Sequence, residues 1–178
     1  MNKKKIFTWE ILGFVIISLS GSFLHFVFEL LGEWPPAALI AAVNESTWEH
    51  LKLAFWPALF YALIEWPFFR RQAKNFWTAK AIGLLAMPLV IVSVFYGYTA
   101  LAGRNFLWAD ISLFVLAVLI GQLLSSWILL RPSFGSRRKT PAVILLVLMI
   151  AAFSLLTFFP PHHPLFRHPR TDQYGILR

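Results

Sequence analysis

"MNKKKIFTWEILGFVIISLSGSFLHF", residues 1–26, opens on three lysines and then runs nearly without charge. A secretory leader would show the same basic start, but with an apolar stretch of about 7–15 residues and a small-residue cleavage site behind it. Here the apolar stretch is longer and no such site follows, so the segment reads as a retained membrane span. About 20 residues in a helix cross a hydrocarbon core. Outward from this stretch, the same criterion places five spans: Thr8 to Leu31, Thr47 to Phe69, Ala81 to Leu101, Leu107 to Leu130 and Pro141 to Phe159. Composition agrees, since 58% of the 178 residues are hydrophobic and only 13% are charged, where a soluble domain has about a quarter charged. The predicted fold class is all-α, a polytopic membrane helix bundle of about five transmembrane helices, with residues 1–178 as a single integral membrane domain. No internal repeat or low-complexity tract is evident.

Positive charge sets the orientation. Lys3, Lys4 and Lys5 lead the chain, Arg70, Arg71, Lys74 and Lys80 follow the second span, and Arg131, Arg137, Arg138 and Lys139 follow the fourth. These regions are expected inside, which puts the N-terminus inside and the C-terminus outside. Tryptophan favours the headgroup level and gives the same register, with Trp9, Trp66, Trp77 and Trp127 at inner ends and Trp34, Trp48 and Trp108 at outer ends. The net charge of +8 is thereby a matter of topology, and no nucleic-acid partner is expected. Without cysteine, a metal would have to use histidine and carboxylate.

The connection from Gly32 to Ser46, "GEWPPAALIAAVNES", is too short to cross. It is expected to lie on the outer surface or to dip back into the protein, and a dip implies a cavity that satisfies its backbone. All five histidines, His25, His50, His162, His163 and His168, fall toward this outer side. Among the acids only Glu10 and Glu65 fall at inner ends. His25 and Glu29 are four apart and share one helix face. Ser46-Thr47-Trp48-Glu49 matches a capping box, which accounts for Glu49, and Lys52 either snorkels to the headgroups, the preferred reading, or neutralises a nearby carboxylate. Gln122, Ser125 and Ser126 are expected to bond between helices, with Gly121 allowing close approach.

The remaining ionisable groups point to a divalent-metal site, zinc favoured, with His25, Glu29, His50 and His162 as candidate ligands. Glu45 and Asp110 are the candidate catalytic groups, taking a proton from activated water. His163 points away from His162 on extended chain and is not counted as a ligand.

At "NESTWEHLK", with "GSFLHFVFE" and the ending "FPPHHPLFRHPRTDQYGI", the chain resembles an uncharacterised family of small multi-pass bacterial membrane proteins. That family has an Asn-Glu-Ser-x-Trp-Glu-His segment and a closing Pro-Pro-x-x-x-Leu-Phe followed by Tyr-Gly-Ile. The resemblance implies a helical protein of the cell membrane and carries no assigned activity. His168 and Asp172-Gln173 depart from its pattern. The functional expectation is a His/carboxylate pocket at the extracytoplasmic face that acts, as a metal-dependent hydrolase or transferase, on a lipid or other amphiphile. The alternatives are a small carrier or transporter component and a non-catalytic assembly subunit.

Overall fold

The computed structural model of the chain describes residues 3–132 and 139–176; Arg137, Arg138 and Arg178 lie outside them. Among the described residues there are five helices and no strand: α1 (Lys3–Leu30), α2 (Thr47–Phe69), α3 (Phe76–Ala102), α4 (Leu107–Leu129) and α5 (Lys139–Leu155). The boundaries of α2 match the sequence expectation because Ser46 caps its start. α3 stops at Gly103, whose φ of 72° suits a residue without a Cβ. α1 and α3 begin earlier than expected, at Lys3 and Phe76. α5 ends at Leu155, ahead of Pro160.

Three helices, α1, α3 and α4, are long and apolar enough to cross a membrane. The five helices expected are all present, and the other two differ from these three in charge or length. α5 has 17 residues, and α2 carries Glu49, Lys52 and Glu65. α2 lies against both α1 and α3, and every residue from Leu51 to Leu59 is buried. A helix walled by other helices can carry ion pairs, because protein rather than lipid faces them. The bundle's exterior is correspondingly apolar: Leu19 is 68% exposed, Phe23 62% and Leu148 61%. Large exposed apolar area over an ionic interior is the pattern a bilayer solvent selects.

α3 and α4 approach backbone to backbone. A Cβ added at Gly83 would lie 2.8 Å from the Gly121 carbonyl oxygen, and one at Gly121 would lie 2.9 Å from that of Gly83, as the small residue at Gly121 led us to expect. From α4, Gln122 Nε2 donates to the Glu10 carbonyl oxygen at 3.2 Å and Ser125 Oγ donates to Glu10 Oε1 at 3.0 Å, so the interhelical bonds expected there exist.

Two basic residues differ from expectation. Lys80, read as a loop charge after the second span, is 1% exposed and meets the inner-end acids Glu10 and Glu65, 4% and 0% exposed, inside the bundle. Lys52 does not snorkel. It is fully buried, and its Nζ donates to the Ala38 carbonyl oxygen at 2.9 Å. Ala38 belongs to a 3-10 turn, Pro35–Leu39, within the connection from Gly32 to Ser46. Ala37, Ala38 and Ala41 are buried with Phe28, so the connection dips into the protein.

Candidate functional site

The segment from Asn44 to His50 organises one end of the bundle, and nearly every residue in it has a structural partner. Asn44 Nδ2 donates to the Gly175 carbonyl oxygen at 2.7 Å, and Asn44 Oδ1 accepts from the Ser46 N–H at 2.7 Å. Ser46 Oγ accepts from the Glu49 N–H at 3.4 Å, which is half of the expected capping box. The other half is absent: the Glu49 carboxylate accepts instead from the Val43 N–H at 3.1 Å and the Thr157 hydroxyl at 2.8 Å, and lies 2.5 Å from Lys52 Nζ. Trp48 stacks between Phe153 and Phe166 with ring centroids 4.8 and 4.7 Å away. That makes it a packing anchor, whereas Trp34, Trp108 and Trp127 are more than half exposed.

Tail residues 160–176 therefore fold back over the segment. Phe166, in a 3-10 turn Pro164–Phe166, is buried, and an isolated antiparallel bridge joins Arg167 to Tyr174. The three stretches that carry the family resemblance, distant in the chain, converge at one place.

Glu45 and His50 are left over from this scaffolding, and His25 of α1 meets them. His50 Nε2 lies 3.4 Å from Glu45 Oε2, His25 Nε2 lies 3.6 Å from Glu45 Oε1, and the two imidazole centroids are 5.2 Å apart. One ligand atom from each of the three residues fits within 4.8 Å of the others. The tautomer of His50 follows from its partner. Its Nδ1 faces the Ser46 carbonyl oxygen at 2.9 Å, and a carbonyl only accepts, so Nδ1 carries the proton and the neutral ring presents the Nε2 lone pair toward Glu45. His25 Nδ1 is buried and has no hydrogen-bond partner.

Glu45 sits in the loop with its side chain about half exposed. When the His50 ring is doubly protonated, the Glu45 carboxyl is held below the ordinary carboxylate value, first by the hydrogen bond from His50 and then by the positive potential of His50, His25 and His168, while partial burial opposes this. A cavity of about 170 Å³ opens beside the group, lined by His25, Phe26, Phe28, Glu29, Asn44 and Glu45 among others.

The other sequence candidates stand as follows. Glu29 lines this cavity next to His25 but is outside the group of three. Asp110 is engaged at the α3–α4 turn, where it accepts from the Tyr98 hydroxyl and, at 2.9 Å, from Asn105 Nδ2. His162 stacks on Tyr174 at 4.8 Å. His163 Nδ1 accepts from the Leu165 N–H, and His168 Nδ1 accepts from the N–H groups of Arg170 and Thr171, so these tail imidazoles hold turns. Sequence reasoning missed Thr157, which joins Glu49 to Lys52 from over a hundred residues away.

Fold and recess together define the class: an all-α protein with apolar spanning helices and a polar, imidazole-carboxylate recess at one end. The chain belongs to a family of unknown function (DUF6512), whose profile matches residues 1–176. No curated protein and no solved structure matches it.

Proposed function

We propose that the protein is a multi-pass enzyme of the bacterial inner membrane, a hydrolase or transferase, in which His25, Glu45 and His50 hold one divalent cation at the extracytoplasmic face. Zinc is the favoured ion and a lipid or other amphiphile the substrate. One observation carries this reading: three side chains able to ligate a metal converge, with gaps of 3.4 and 3.6 Å. Those gaps exceed the usual hydrogen-bond distance. They are close to the separation of about 3.4 Å expected for two ligands each about 2.1 Å from a tetrahedral zinc.

The residues present suit such an ion, since imidazole and carboxylate are its ordinary oxygen and nitrogen donors and the His50–Ser46 bond fixes one ring from behind. A cation bound there would supply charge stabilisation for a developing oxyanion and acidify water. Because Glu45 belongs to the ligand group, the role of proton acceptor passes to Glu29, on the cavity wall one turn beyond His25. Phe26 and Phe28 give the same cavity an apolar side, which admits the junction of a polar headgroup and a hydrocarbon.

The test is elemental analysis of protein dialysed against zinc. Wild type is expected to retain about one ion per chain, and His25→Ala or His50→Ala to release it. Wild type without metal, or variants that keep it equally well, would remove the reading. A carrier is the second reading, favoured by the carboxylates of Glu10 and Glu65 within the bundle. It requires flux in proteoliposomes above that of empty liposomes, and loss of that flux in Glu65→Gln.

A further inference from the structure

The proposed enzyme makes no use of a second ionic cluster, which lies about 22 Å from His25 along α1, counting 1.5 Å per residue. Glu10 comes from α1, Glu65 from α2 and Lys80 from α3, and all three are almost completely buried. Lys80 Nζ is 2.8 Å from Glu10 Oε1 and in contact with Glu65 Oε2. The polar groups around them are otherwise committed. Ser125 Oγ donates to Glu10 Oε1, Gln122 Nε2 donates to the Glu10 carbonyl oxygen, and the Tyr61 hydroxyl donates to the Trp9 carbonyl oxygen at 2.6 Å.

Two carboxyl oxygens, Glu10 Oε2 and Glu65 Oε1, are buried without any hydrogen-bond partner. With every group ionised, two carboxylates face one ammonium, and an uncompensated negative charge is left in a low-dielectric interior. That is the arrangement least tolerated there. Two carboxyls sharing a site respond by retaining a proton, and the pair then titrates as a unit. One proton both neutralises the set and gives an orphaned oxygen a donor to accept from.

We propose that the Glu10–Lys80–Glu65 triad is a proton-binding site that holds one exchangeable proton shared between its carboxyls. An apolar cleft of about 40 Å³ between α1 and α4, lined by Phe7, Glu10, Ile11, Gln122 and Ser126 among others, lies beside Glu10.

Charge counting makes the test sharp. Infrared spectroscopy of the protein in lipid nanodiscs at neutral pH is expected to show the carboxylic C=O band of one protonated carboxyl, shifting in deuterated water. Glu10→Gln and Glu65→Gln each leave one carboxylate against one ammonium, so either variant loses the band entirely. Lys80→Met leaves two carboxyls with no cation and doubles it. A wild type without the band overturns the proposal. So does a band that survives Glu10→Gln, because it would mean that Glu65 is protonated by burial alone. Circular dichroism and retained zinc at the other end report on folding. If Lys80→Met does not fold, the two Gln variants still decide.

Discussion

Replacing Lys52 by Met isolates what the buried pair on α2 contributes. Lys52 Nζ is bonded to Glu49, to Thr157 Oγ1 at 2.8 Å and to the Ala38 carbonyl oxygen at 2.9 Å, and neither Lys52 nor Glu49 is more than 2% exposed. Without the ammonium, the Glu49 carboxylate keeps only the Val43 N–H and the Thr157 hydroxyl. Removing one partner of a buried pair costs about 3–5 kcal/mol, because the other charge stays buried and uncompensated. For a chain of this size about 2–4 °C of midpoint goes with each kcal/mol, so the expected fall is about 6–20 °C. The double variant Glu49→Leu/Lys52→Met removes both charges, and is expected to recover most of the loss. Tryptophan fluorescence melts in detergent measure this directly; thiol-reactive dyes have no target, since the chain has no cysteine. The freed Ala38 carbonyl lies in the segment that leads to Glu45, so zinc retention is expected to fall along with stability. A single variant within about 2 °C of wild type, or a double variant no better than the single, would refute the account.

Three further outcomes follow from other contacts. Asn44→Ala removes two bonds of 2.7 Å, worth together about 1–3 kcal/mol, and is expected to release the tail, so that limited proteolysis cuts after Pro161 faster than in wild type. Gly83→Ala forces α3 away from the Gly121 carbonyl, an overpacking that costs about 1–3 kcal/mol and is read as a lowered melting midpoint. Reporter fusions after Lys74 and at the C-terminus are expected to report opposite sides of the membrane, and a same-side result would remove the extracytoplasmic assignment.

The parts of this molecule that sequence reveals are those set by neighbours in the chain. Long apolar runs located all five helices, and Ser46 fixed the start of α2 because a cap acts within three residues. His25, Glu45 and His50 stood out because groups of that kind are costly near lipid and cluster toward one side of the spans. What escaped was pairing between helices. Lys80 follows a basic loop and was read as a topological charge, yet its partner Glu10 is 70 residues away; Lys52 was read as snorkelling, although its bond to Thr157 spans 105 residues. A usable signal was present all the same: Glu10 sits in a span without a basic residue one turn further on, and an acid so placed calls for a cation from elsewhere. Asp110 finds Tyr98 across the α3–α4 turn, whereas the tail histidines bond N–H groups only two and three residues on, a local turn signal that the sequence reading passed over.

The ionic residues of α2 bear on how the protein is made. At a translocon each segment is judged for partition into lipid, and acidic or basic residues near a helix centre weigh about 2.5–3.5 kcal/mol against entry. Glu49 has Lys52 within its own helix, but Glu65 finds its counter-charge only on α3, so α2 emerges before the group that neutralises Glu65. It therefore has to wait beside α1 at the lateral gate and enter the bilayer in company with α3, and a chain halted after Phe69 would leave α2 stranded for the insertion machinery to reject.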